Sequence, residues 1–142
     1  MFQSEADVAA IGEGLLDRTL PKARWTHAAH FAAALWVISR RPDLDPVVDM
    51  PRIIRAYNAA TGGVNSDTEG YHETITQASL RAARAHLEGL AAGVSLHEAV
   101  NRLLASPLGR SDWPLDHWSR EALFSVAARR GWVEPDIKPL PF

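Results

Sequence analysis

Six histidines, at positions 27, 30, 72, 86, 97 and 117, are the side chains most able to do chemistry in this sequence. His27 and His30 form an H-x-x-H pair inside Trp25-Thr26-His27-Ala28-Ala29-His30. On a helix, positions i and i+3 lie about 60° apart around the axis, so both rings leave from one face. Ala34 and Val37 continue that face, which is expected to turn the pair toward the core. The small side chains at 28, 29, 32, 33 and 34 let neighbouring helices come close around the rings. His72 stands in Gly70-Tyr71-His72-Glu73-Thr74-Ile75-Thr76, read as the first turn of a later helix. Thr76, Ser79, Leu80, Ala83, Leu87 and Leu90 fall within about 80° of it. Its face is thus polar at the start and apolar beyond, a pattern that suits a pocket at one end of a bundle.

Two helices presenting imidazole inward bring three rings together. Imidazole nitrogen ligates zinc, iron, nickel or copper, and three histidines leave coordination positions open for water or substrate. His27, His30 and His72 are the expected ligands of a divalent transition metal. Glu73 lies about 100° from His72 and is the expected catalytic residue, whether as a fourth ligand, a general base or the hydrogen-bond partner of a ligand ring. Trp25, Tyr57, Asn58, Tyr71, Thr76 and His117 are expected to line the pocket. Metal-activated water or Lewis-acid polarisation of a small molecule would be the chemistry, and a two-histidine, one-carboxylate iron site would open oxygen chemistry. The competing reading makes the histidines structural donors to backbone carbonyls. The chain is then a non-enzymatic binding or protein-interaction module, its tryptophan-rich C-terminal part contacting a partner or a second copy.

The remaining candidates are weaker. His86 is about 21 Å along a helix from His72 and cannot share its metal. His97 falls in the first turn of a capped helix, where exposure is expected. His117, in Trp113-Pro114-Leu115-Asp116-His117-Trp118, would either fold over the bundle mouth or anchor the C-terminal segment. Arg81, Arg84, Arg129 and Arg130 read as solvated faces, not as a phosphate channel. Phosphate-loop, dinucleotide and nucleophile-elbow motifs are absent from the sequence.

Stepwise apolar spacing supplies the elements that must hold these side chains. Val8, Ile11 and Leu15 make a first helix behind Ser4 or Asp7, and Thr26 caps a second that runs to about Arg41. Met50, Ile53, Ile54 and Tyr57 mark a third. Pro51 is tolerable only in a first turn, so Asp49 is the expected cap and Gly62-Gly63 the end. A fourth is expected from about 71 to 88. Ser95 to Glu98 is a capping box for a fifth helix. Short helices are expected around Ser119 and Ser125, then an extended tail with prolines at 135, 139 and 141. The fold class is all-α: one domain, a bundle of four main helices with short C-terminal helices and a Pro-rich tail.

With 142 residues, 46% of them hydrophobic and 23% charged, the chain can bury one core of its own. The absence of cysteine excludes disulfides, thiolate metal sites and a cysteine nucleophile. A net charge of −2 gives no footprint for nucleic acid. No apolar run reaches membrane length and the N-terminus lacks signal-peptide character, so a cytoplasmic protein is expected, with a small-molecule ligand and a homo-oligomer both admissible.

The strings Trp25-Thr26-His27-Ala28-Ala29-His30 and Gly70-Tyr71-His72-Glu73-Thr74-Ile75-Thr76 resemble a group of small all-helical bacterial proteins of unassigned function. Trp132-Val133-Glu134-Pro135-Asp136 is similar to their tail. DinB-like thiol transferases are an architectural analogy only, since their histidine order and spacing differ. HD phosphohydrolases require a His-Asp doublet, here reversed as Asp116-His117, and hemerythrin-like carriers require more ligands in register.

Overall fold

Short polar side chains open almost every helix, each accepting a backbone N–H that the first turn would otherwise leave free. In the computed structural model, which describes all 142 residues, Ser4 caps α1 (Glu5–Asp17) and Thr26 caps α2 (His27–Arg40). Asp45 caps α3 (Pro46–Ala60), and α4 (Glu73–Glu88) follows. Ser95 caps α5 (Leu96–Ala105), Ser119 caps α6 (Arg120–Leu123) and Ser125 caps α7 (Val126–Arg130). Three single 3-10 turns lie between them, at Lys22–Arg24, Pro107–Gly109 and Trp113–Asp116. There are no strands. The chain is an all-α bundle, with four helices of 13 to 16 residues and a shorter fifth. No helix is long and apolar enough to cross a membrane.

Alanine content explains the layout. The run Phe31–Val37 is buried at every position, so α2 has no solvent face along this stretch and must be the central helix. It packs against α1, α3, α4 and α5. Val8, Ile11 and Leu15 of α1, Ile53 and Tyr57 of α3, Ala78 and Ala82 of α4, and Val100 and Leu103 of α5 close the core around it.

Two helix starts differ from the spacing argument. α3 begins a turn earlier than expected, at Pro46 behind Asp45, and Pro51 therefore lies inside it. A proline there cannot donate to the carbonyl four residues back. That carbonyl, on Val47, is instead taken by the Gln77 side-chain amide of α4 at 3.0 Å. Gln77→Ala is expected to cost no more than about 1 kcal/mol, because the bond is exposed and water can replace it. In a Pro51→Ala background the cost should shrink toward zero, since the restored N–H serves the same carbonyl. A double-mutant cycle by chemical denaturation measures both.

The second difference concerns His72, which is the N-cap of α4 rather than a member of its first turn. Beyond α7 the tail runs without regular structure across the start of α4 and the α6 region. Thr74, fully buried, donates through Oγ1 to the Gly131 carbonyl and accepts from Val133 N–H. Trp118 Nε1 donates to Val133 O, and Asp136 accepts from both the backbone N–H and the hydroxyl of Ser119. His117 belongs to this anchor: its Nδ1 faces the carbonyls of Lys138 and Pro139 at 3.3 and 3.1 Å. His86 ties α4 to α5 through Ala99 O. His97 is half-buried, not exposed as expected, and its Nδ1 has no partner.

Candidate functional site

Thr26 sets the geometry of the first turn of α2. Its hydroxyl accepts Ala29 N–H, and its carbonyl receives both the backbone N–H and the ring Nδ1–H of His30, the latter at 2.7 Å. A carbonyl only accepts, so the proton of neutral His30 is on Nδ1 and the lone pair is on Nε2. Trp25 stacks on the ring with centroids 3.7 Å apart and meets Tyr57 edge-on at 5.5 Å. Tyr57 is itself pinned by its hydroxyl to Leu20 O at 2.7 Å.

Opposite this wall lies the segment 63–71, organised by the Asn65 side chain. Asn65 Oδ1 accepts from Asn58 Nδ2 and from Tyr71 N–H, and its Nδ2 donates to Arg55 O. Tyr71 is fixed further by a hydrogen bond from its hydroxyl to Glu73 and by the Arg55 guanidinium, 4.4 Å above its ring. Between the two walls is a cavity of about 380 Å³. Trp25, His30, Tyr57, Asn58, Tyr71, His72 and Thr76 all line it. Spacing alone did not reveal Lys22 and Glu69, which add one charge of each sign, or the apolar contribution of Ile54 and Ile75. Nor did it reveal Asn65, whose only signal was an asparagine within a polar connection.

Ionisation follows the surroundings. His30 is exposed, yet desolvation by the protein around its ring pushes its pKa below the ordinary 6.5; the Thr26 carbonyl opposes this and the charge of His27 adds to it. Burial likewise lowers His72, with Arg129 adding to the shift and the Leu123 carbonyl opposing it. Burial first, and then the bond to Glu73, drives the Tyr71 hydroxyl far above its usual value, so it stays protonated.

No protein-family model, curated protein or solved structure matches this chain.

The three imidazoles expected to share a metal do not meet as a ligand set. His72 has no free nitrogen: Nε2–H donates to Leu123 O at 2.7 Å, and Nδ1 accepts Ile75 N–H at 3.1 Å as the cap of α4. His27, although it leaves α2 near His30, sends Nε2–H to Leu108 O at 2.8 Å and sets its ring edge against Phe31. Nowhere in the chain do three or more His, Asp or Glu side chains form a group able to hold a metal ion. Glu73 does not line the cavity; its oxygens meet the Tyr71 hydroxyl and the Gln77 amide. His117 is at the C-terminal anchor and also outside it. What the cavity offers is one ring with a free acceptor nitrogen, an aromatic lining, one charge of each sign from Lys22 and Glu69, and a few hydroxyl and amide groups.

Proposed function

We propose that this chain binds a small molecule in the cavity between α2, α3 and the segment 63–71, and that His30 Nε2 is the base that receives its O–H or N–H group. One observation carries this reading: of the four ring nitrogens on the two cavity histidines, Nε2 of His30 alone lacks a protein partner. Fixing Nδ1–H on a backbone carbonyl holds the ring and its tautomer, the arrangement that makes an imidazole an acceptor or general base. Trp25 supplies flat apolar surface, backed by the fully buried Tyr57 and flanked by Tyr71, so the favoured ligand is a planar ring bearing a donor. The volume lies in the range of ordinary small-molecule sites. A metal-dependent reading lacks comparable support, because His30 alone offers a free imidazole nitrogen here and a divalent transition metal needs several ligands.

Phenol and toluene test this directly, since they differ only by the donor. Phenol is expected to shift the NMR signals of Trp25, Tyr57, Tyr71 and His30, and toluene to bind more weakly. His30→Ala should reduce phenol affinity about tenfold while leaving toluene little changed. Affinity for phenol should also fall as pH drops through the lowered pKa of folded His30, on the acid side of the ordinary 6.5, because a protonated Nε2 no longer accepts. Equal binding of both compounds, or an unaltered phenol affinity in His30→Ala, would overturn the reading.

A further inference from the structure

Tyr71 also lines a second cavity, of about 190 Å³, with Arg55, Asn65, Ser66, Asp67, Arg129 and Arg130. Three guanidiniums meet here from two helices far apart in sequence, against one carboxylate, leaving two positive charges unbalanced. Arg130 is committed to Asp67, with Nε and Nη2 each 2.7 Å from a carboxylate oxygen. Neither of the other two forms an ion pair, although the charge of Arg129 is felt by Asp67. Arg55 sits over the Tyr71 ring at 4.4 Å, a contact that leaves its N–H donors without an acceptor. Arg129 spends only Nη1, on the carbonyls of Gly70 and Tyr71. Elsewhere, Arg40, Arg41, Arg52, Arg102 and Arg110 each sit within 4 Å of a carboxylate, while Arg18, Arg24, Arg81, Arg84 and Arg120 do not; what sets Arg55 and Arg129 apart is that they line one cavity with Arg130.

Holding two unpaired arginines beside a third costs repulsion that a bound anion would relieve. Their planar forks match the oxygens of a phosphate group, and two net charges match its dianion. Spacing had placed Arg129 and Arg130 on solvated faces, and Arg130 is exposed and Arg129 half-buried; α7 packs on α4 and brings both side chains to the 63–71 loop. We infer that this cavity is a binding site for a phosphate group, distinct from the His30 cavity and sharing only the Tyr71 wall with it.

The test is titration of the full chain with inorganic phosphate and with phenyl phosphate at constant ionic strength, followed by the NMR signals of Tyr71 and of the arginine side chains. Phosphate is expected to bind with Arg55→Gln and Arg129→Gln each weakening it about tenfold, acetate binding less well. Arg84→Gln, on the exposed face of α4, should leave affinity unchanged. Asp67→Asn should tighten binding, because it removes the competing carboxylate and frees the Arg130 fork. Tighter binding of phenyl phosphate, with added shifts at Trp25, supports a phosphomonoester as occupant; equal affinities support the free ion. The inference is overturned if chloride competes as well as phosphate, or if Arg84→Gln weakens binding as much as Arg55→Gln.

Discussion

Replacing His72 by alanine is expected to lower the unfolding free energy by about 3 kcal/mol, and the melting temperature by about 10 °C. The magnitude follows from what the ring does. Its Nδ1 is the only side-chain cap of α4, and losing such a cap costs about 1 kcal/mol. Its Nε2–H satisfies the Leu123 carbonyl across 51 residues, in a buried setting where an orphaned acceptor costs about 1–3 kcal/mol. His72→Asn should recover roughly the cap, about 1 kcal/mol, since its side-chain oxygen can accept Ile75 N–H. Denaturant unfolding of the three proteins measures this. A loss well below about 1 kcal/mol in His72→Ala would mean that the two backbone bonds do not form. The loss should be the same with and without a chelator, which separates a capping ring from a metal ligand.

A pH dependence accompanies it. Both His72 and His30 are harder to protonate in the folded chain than at the ordinary value of 6.5. Below pH 6.5 the unfolded chain therefore binds more protons than the folded one, and stability falls with falling pH until the lowered folded values are passed. For His72 the physical event is plain: a proton on Nδ1 would face Ile75 N–H and destroy the cap. The acid-side loss should be visibly shallower in His72→Ala than in the native chain.

Helix positions were legible because their signals are local. Thr26, Ser95, Ser119 and Ser125 act on backbone groups within three residues, and the buried sides of α1 and α2 follow their apolar spacing. The misreadings arise where a distant partner overrides a local rule, or where a residue is an uncommon choice for its place. Pro51 sits inside α3 because Gln77, 26 positions on, can serve the carbonyl it abandons, while exposed Val47 and Val48 hid the helix start from a search for buried spacing. His72 caps α4 although the favoured caps are serine, threonine, aspartate and asparagine. Several residues of the cavity could be named from their neighbourhood. The fate of each ring nitrogen could not, because the carbonyls that claim His27 and His72 belong to Leu108 and Leu123, 81 and 51 residues away.

Gly70→Ala should abolish binding of both phenol and phosphate and destabilise the fold by at least about 3 kcal/mol. Gly70 has φ +83°, in the left-handed region, which alone costs a side-chain-bearing residue about 1–2 kcal/mol. Space is lacking too: an added Cβ would sit 2.3 Å from Val64 O and 2.8 Å from the Asn65 Cα, both backbone atoms with no rotamer to escape into. The segment would have to shift at the point where Asn65 grips Tyr71 N–H and Arg129 grips Gly70 O. Tyr71 walls both cavities, so one displacement removes both sites. Gly62→Ala is the control. Its φ of +85° carries the same conformational penalty, but nothing lies within 4 Å of the added methyl group. It should cost about 1–2 kcal/mol and leave both affinities intact. If the two variants behave alike, backbone strain and not the close approach to Val64 and Asn65 governs the loop; if Gly70→Ala still binds both probes, Tyr71 is not the shared wall.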